Sequence, residues 1–316
     1  KILTTLSLLF MQYLILGATK MPSEIHTKQD FIVTNNANLY YQLFDTNQSQ
    51  NRTPIICLHG GPGSNQQYLM SLKALATQNP VILYDQSGCG KSTTNDPEFD
   101  DYNLQYYVDE LKQFIDHLGY EKIILLGHSW GAMLAVAYTL ENSTKVESLI
   151  LSGACLSSPM WVADCKKLAQ SLSPKLYEIM AKHESEETTN DPEYIAAVDK
   201  FYANFFCRVS PWPTDLEIAI SGINRKIYGK MWGNYETYAT GNLKDVNLAP
   251  QLHKITIPTL FISGEYDTAT PESMQYCANQ MQNAKLVIIP GGAHCTPTEK
   301  PIEFVQAVSE FLKELI

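Results

Sequence analysis

Apolar and polar positions alternate along this chain in two rhythms. Short, nearly unbroken apolar runs recur at residues 54–58, 81–84, 122–126, 146–151, 257–263 and 285–289. Between them lie stretches with apolar residues at helical spacing: 67–76, 104–118, 132–138, 271–281 and 301–315. Buried strands alternating with amphipathic helices predict an α/β class, a mostly parallel sheet with helices on both faces. Ahead of this pattern, residues 31–33 and 39–44 flank Asn35-Asn36, a turn signal that predicts an antiparallel hairpin. The rhythm stops near Cys155 and resumes at residue 257; the intervening stretch is helical, aromatic and acidic, with no clear strand. An insertion between two sheet strands sits over their carboxyl ends as a lid. The expected organisation is a core built from residues 25–154 and 251–316, with a helical cap at 155–250.

Charge and composition narrow the function. The chain has 316 residues, 45% hydrophobic and 18% charged, as in folded globular proteins. A formal net charge of −10 argues against nucleic-acid binding, which needs a basic patch, and is compatible with a cationic substrate. Residues 2–18 are largely apolar behind Lys1, so 1–20 reads as a secretory signal, with a membrane anchor as the alternative. The protein is then exported, periplasmic or secreted, if that segment is a signal, and cytoplasmic otherwise. A membrane is a partner only if the segment stays uncleaved. The seven cysteines match no metal-binding spacing, and no metal or cofactor is expected. Cys155, Cys165 and Cys207 can contain a bridge if the protein is exported.

Four loops follow predicted strands on the edge where open α/β sheets bind ligands. Gly127-His128-Ser129-Trp130-Gly131, between a strand and a helix, is a nucleophile elbow that projects the Ser129 hydroxyl. His59-Gly60-Gly61-Pro62-Gly63 offers backbone N–H groups to a developing oxyanion. Pro62 cannot donate, so Gly61 is the expected donor, paired with the N–H of Trp130. Gly264-Glu265-Tyr266-Asp267 supplies an acid to orient a base, with Glu265 as the rival of Asp267. Among seven histidines, His294 alone lies beyond both acids on a loop after the last strand. The order Ser129, Asp267, His294 is that of the α/β-hydrolase arrangement. His59 and His128 are expected to shape loops. The Asp85–Ser92 stretch has Asp85 where a phosphate loop needs glycine, which excludes nucleotide binding there.

Together, His59-Gly60-Gly61-Pro62-Gly63, Asp85-Gln86-x-Gly88-x-Gly90-x-Ser92, Gly127-x-Ser129-Trp130-Gly131 and Gly264-x-Tyr266-Asp267-x-x-Thr270-Pro271 resemble the proline iminopeptidase family, in its tricorn-associated aminopeptidase-like branch. The resemblance runs from about residue 25 to the C-terminus and is weakest in the cap. It implies an α/β-hydrolase fold and removal of an N-terminal residue, often proline, from short peptides. It also implies acidic cap residues that hold the substrate ammonium. Gly233-Asn234-Tyr235-Glu236 resembles the family's cap segment, which makes Glu236 the first anchor. Glu193 is the substitute for a second, because Ala196 and Ala197 stand where a glutamate is expected. Ser87 replaces an arginine usual in the Asp-Gln-Arg-Gly motif. Phe201, Phe205, Trp212, Trp232, Tyr235 and Tyr238 are candidates to line a pocket for a pyrrolidine ring, with Phe201 and Phe205 equally suited to the cap core.

The residues therefore predict a serine hydrolase acting through an acyl-enzyme on a small peptide, amide or ester substrate. A carboxylesterase or amidase without a free-amine requirement is the alternative. A non-catalytic ligand-binding domain is a remoter one.

Overall fold

The computed structural model describes residues 24–315; the expected leader at 1–20 lies outside them. Among the described residues, nine strands form one sheet: β1 (His26–Val33), β2 (Ala37–Asp45), β3 (Ile55–Leu58), β4 (Val81–Tyr84), β5 (Thr93–Thr94), β6 (Ile123–His128), β7 (Val146–Ser152), β8 (Thr259–Gly264) and β9 (Ala284–Ile289). Their order is β1-β2-β4-β3-β6-β7-β8-β9, with β5 beside β2. The hairpin β1–β2 is antiparallel, as is β2 against β4; from β4 to β9 every pairing is parallel.

Strand periodicity explains how the sheet is covered. Ile56, Leu58, Leu125, Leu149 and Leu151 point to one face, against Phe114 of α1 (Leu104–Leu118) and Leu134 of α2 (Trp130–Glu141). Their neighbours Ile55, Cys57, Ile124, Leu126 and Ile150 point to the other, against Leu72, Phe304 and Phe311. With both faces dry, alternation is invisible in the residue types and the strands read as continuous apolar runs. The segment expected as a helix over 67–76 is a 3-10 helix, Gln66–Thr77. Its leucines explain the difference. Leu69, Leu72 and Leu75 recur every three residues and are fully buried, which suits a helix of three residues per turn.

Between β7 and β8 lie five α-helices, α3 (Ser158–Leu172), α4 (Pro174–Ser185), α5 (Pro192–Phe205), α6 (Thr214–Ser221) and α7 (Arg225–Met231), and a short 3-10 helix, Ala249–Lys254. The first three start alike. Ser157, Ser173 and Asp191 each accept a backbone N–H of the first turn, and a proline follows inside that turn. After β8, α8 (Pro271–Asn279), α9 (Thr296–Glu299) and α10 (Pro301–Glu314) complete the described chain. The conditional bridge among Cys155, Cys165 and Cys207 does not form: all seven thiols are unpaired and buried, held as apolar core groups. No helix of the described residues is long and apolar enough to cross a membrane.

Candidate active site

The turn from β6 into α2 places Ser129 at φ 57° and ψ −121°, left-handed backbone that a side chain rarely adopts. Its flanking glycines are forced by close approach. A Cβ on Gly127 would meet the Gly131 carbonyl oxygen at 2.3 Å, and one on Gly131 would meet that of Leu58 at 2.1 Å. Trp130 opens α2, so its N–H is one of the first-turn donors that no carbonyl within the helix can reach. Gly61, at φ 115°, lines the same recess as Ser129 and Trp130.

The loops after β8 and β9 bring a histidine and an acid together. His294 Nδ1–H donates to Asp267 Oδ1 at 2.8 Å, which leaves Nε2 as the acceptor on the pocket side. Asp267 is also held by the Ala269 N–H at 2.8 Å. Its rival Glu265 is exposed and accepts the Gly291 N–H at 2.9 Å, away from the imidazole. Burial opposes charging of His294, but the Asp267 carboxylate, with Glu236 and Glu299, outweighs it and raises its pKa above the ordinary value.

A buried network ties the glycine loop to this histidine. Burial, followed by the charge of His294, pushes His128 down to about 3, so its ring is neutral. Its Nε2–H donates to the His294 carbonyl at 2.9 Å; Nδ1 therefore accepts from the Tyr68 hydroxyl at 2.8 Å. That hydroxyl in turn accepts the Gly60 N–H at 2.6 Å. On the other side, His59 Nε2 accepts the Gln86 N–H at 3.1 Å, and Gln86 Oε1 accepts the Trp130 indole N–H at 2.8 Å. Asp85 accepts the N–H groups of Gln66 and Lys91, both at 2.9 Å. The residues from Asp85 to Ser92 thus brace the glycine loop.

Glu236 comes from the cap. Its side chain is 14% exposed, and Oε1 lies 3.5 Å from His294 Nε2. Three aromatic side chains hold its backbone: the indoles of Trp161 and Trp232 donate to its carbonyl at 3.0 and 3.2 Å, and its N–H donates to Tyr202 Oη at 3.2 Å. Burial, only partly offset by His294, pushes the carboxyl up to about 7. A largely buried acid on the cavity wall, with no Lys or Arg within 4.0 Å among the described residues, suits a substrate cation.

Two spaces meet at Ser129. A cavity of about 290 Å³ carries Ser129, His294, Glu236 and Tyr235 on its wall, with Trp212, Leu216 and Ile220 as apolar lining. A recess of about 10 Å³ is bounded by Ser129, Glu236, Trp161, Trp232, Met133 and Cys155. Tyr238 borders neither. Phe201 and Phe205 also face away, into the cap core; their neighbours Tyr202 and Phe206 line the cavity instead. Glu193 is displaced from the site: its carboxylate is half-exposed and lies 3.4 Å from His183. The reason is helical register. Tyr194, Ala197, Val198, Phe201 and Phe205 are the buried face of α5, which turns Asp199, Tyr202 and Phe206 to the cavity. Asp199, Arg225 and Tyr68 carry no motif and were not expected; the spacing of Asp199, Tyr202 and Phe206 on one helix face is the signal that could have found the first. Among the described residues, no group of three or more His, Cys, Asp or Glu is arranged to hold a metal ion.

Comparison with known proteins agrees with this fold. Residues 53–301 match the model of the alpha/beta hydrolase fold family. The chain is 39% identical over 290 residues to a proline iminopeptidase of Heyndrickxia coagulans, spanning 91% of this chain and 99% of that one. It is 34% identical over 282 residues to a proline iminopeptidase of Saccharolobus solfataricus, spanning 88% and 90%. The crystal structure of a Mycobacterium smegmatis proline iminopeptidase superposes with a TM-score of 0.84 at 32% identity, over 91% of this chain and 98% of that one. This chain belongs to the proline iminopeptidase family of the α/β-hydrolase fold.

Proposed function

We propose that this protein is a serine aminopeptidase that removes an N-terminal residue, proline favoured, from short peptides. The observation that carries this reading is Glu236, a buried carboxylate 3.5 Å from His294 on the wall of the cavity that also holds Ser129. In this reading it accepts the ammonium of the peptide's first residue while that residue's carbonyl meets Ser129, both groups lining one cavity. The relatives named proline iminopeptidase support the same activity.

In this reading Ser129 Oγ attacks the acyl carbon while His294 Nε2 takes its proton, and Asp267 holds the imidazole tautomer and stabilises the imidazolium. The oxyanion is met by the N–H groups of Gly61 and Trp130. Collapse of the tetrahedral intermediate breaks the C–N bond, and His294 hands the proton to the leaving amine. Water, deprotonated by the same nitrogen, then releases the acyl group and restores Ser129. Trp232 and Tyr235 bound the site beside Glu236 and confine the first residue. No step needs a cofactor.

The test compares prolyl arylamide, its N-acetylated form and short aryl esters. Free-amine substrates should be strongly preferred, and Ser129→Ala should lose more than 10³-fold in turnover, as roughly expected for a triad nucleophile, while keeping its circular dichroism spectrum. Equal rates on free and N-blocked substrates would instead identify an esterase or amidase.

A further inference from the structure

The mouth of the 290 Å³ cavity carries a charge that the proposed chemistry leaves unused. Arg225 is the one Arg or Lys side chain lining the cavity, and it is exposed, whereas Glu236 and His294 lie buried at the inner end. Its position is built. Asn224, the residue before it, donates its backbone N–H to the Gly63 carbonyl and its side-chain amide to that of Gly88, each at 2.8 Å. The first bond fixes the base of Arg225 to the loop that carries Gly61, the second to the stretch from Asp85 to Ser92. Among the described residues, no carboxylate lies within 4.0 Å of its guanidinium, Asp199 at the same mouth included. A guanidinium is a planar fork matched to a carboxylate. The cavity is also at the small end of ligand sites, which limits how much chain fits beyond Ser129.

We propose that Arg225 is the subsite for the free main-chain carboxylate of a short peptide, so that di- and tripeptides are preferred over C-terminally blocked or longer chains. Glu236 then takes the positive end of the peptide and Arg225 the negative end, with Ser129 between them. The apolar wall of Trp212, Leu216 and Ile220 takes the side chain of the leaving residue. This inference rests on the aminopeptidase reading and adds to it a requirement on the far end of the substrate.

The experiment measures kcat/KM for prolyl-alanine and prolyl-phenylalanine as free acids and as C-terminal amides, in low salt, with prolyl arylamide as a reference for the wild type. The free acids should be hydrolysed roughly three- to tenfold better than the amides, the range between an exposed and a largely desolvated charge pair. Added salt should shrink that ratio. Arg225→Gln should bring it to about one, and Arg225→Lys should restore part of it. An acid-to-amide ratio of one in the wild type overturns the proposal. So does a ratio that survives in Arg225→Gln while all rates fall together, because Arg225 would then only shape the mouth. Failure to cleave the arylamide at all would instead remove the aminopeptidase reading, and the proposal with it.

Discussion

Replacing Glu236 with glutamine keeps the volume and removes the charge. Burial pushes this carboxyl up to about 7. Relative to an ordinary glutamate at 4.5, keeping it charged in the empty site thus costs about 3 kcal/mol. A substrate ammonium that pairs with it recovers energy of that order. Losing the pair should therefore lower kcat/KM on free-amine substrates by roughly 100-fold, at one decade per 1.36 kcal/mol. The assay is steady-state hydrolysis of prolyl arylamide and N-acetyl-prolyl arylamide by wild type and Glu236→Gln, from pH 5 to 9. The free-amine substrate should lose at least tenfold more than the blocked one. The pH profile gives a second reading. The wild type needs Glu236 charged, so its activity on free amines should fall as pH drops through about 7. It should fall again on the alkaline side as the substrate amine loses its proton, near pH 8 for an ordinary α-amino group. In the variant the acidic limb belongs to His294 alone. The Glu236 charge that helps raise its pKa is gone, so that limb should move to lower pH. Equal losses on free and blocked substrates, or an acidic limb that does not move, would refute the assignment of Glu236 to the ammonium.

Two further outcomes test groups outside the triad. Tyr68→Phe removes the hydroxyl between Gly60 N–H and His128 Nδ1 and leaves both buried groups unpaired, at about 1–3 kcal/mol each. Thermal denaturation should register that loss, and kcat should fall about tenfold with KM little changed as the glycine loop loosens; an unchanged kcat would make the network purely structural. Glu110 is buried on α1, accepts the Ser87 N–H at 3.1 and 3.2 Å, and is pushed by burial up to about 7. The folded state holds a proton there that the unfolded chain releases near pH 4.5, so stability is lost as pH rises from that value to 7 and then levels off. Glu110→Gln should therefore raise the melting temperature at pH 8, by the equivalent of about 3 kcal/mol at most, and bring no gain at pH 4; a gain that does not depend on pH would sink this account.

The core was legible because its strands are dry on both faces. Runs such as Ile55 to Leu58 leave no polar position to confuse the reading, and the loops that follow them fall where catalytic groups can meet. Choosing between Asp267 and Glu265 was harder, since both acids sit in one turn. What separates them is the turn itself, closed by the Asp267 N–H on the Gly264 carbonyl, which carries Asp267 inward and leaves Glu265 on the surface. The cap was less legible. Aromatic residues stand on both the inner and the cavity sides of α5, so composition does not mark the register, which turns Glu193 outward and Asp199 to the cavity. Arg225 belongs to no motif. Only the folded path from Gly63 to Asn224 brings it to the mouth.

The cap is not a detachable part. The carbonyls of Phe205 and Phe206, at the end of α5, accept the N–H groups of His294 and Cys295 at 3.0 and 2.9 Å. Glu299 receives the backbone N–H of Arg208 from the cap side and that of Ala293 from the core side. The end of a helix must find donors for its last carbonyls, and here the loop bearing the imidazole supplies them. A chimera that exchanged the whole insertion for a relative's would remove the scaffold of its own base, however well the new pocket suited its substrate. In this chain a seam that leaves residues 205–208 with the core keeps these bonds, and substitution along α5, α6 and α7 leaves them untouched.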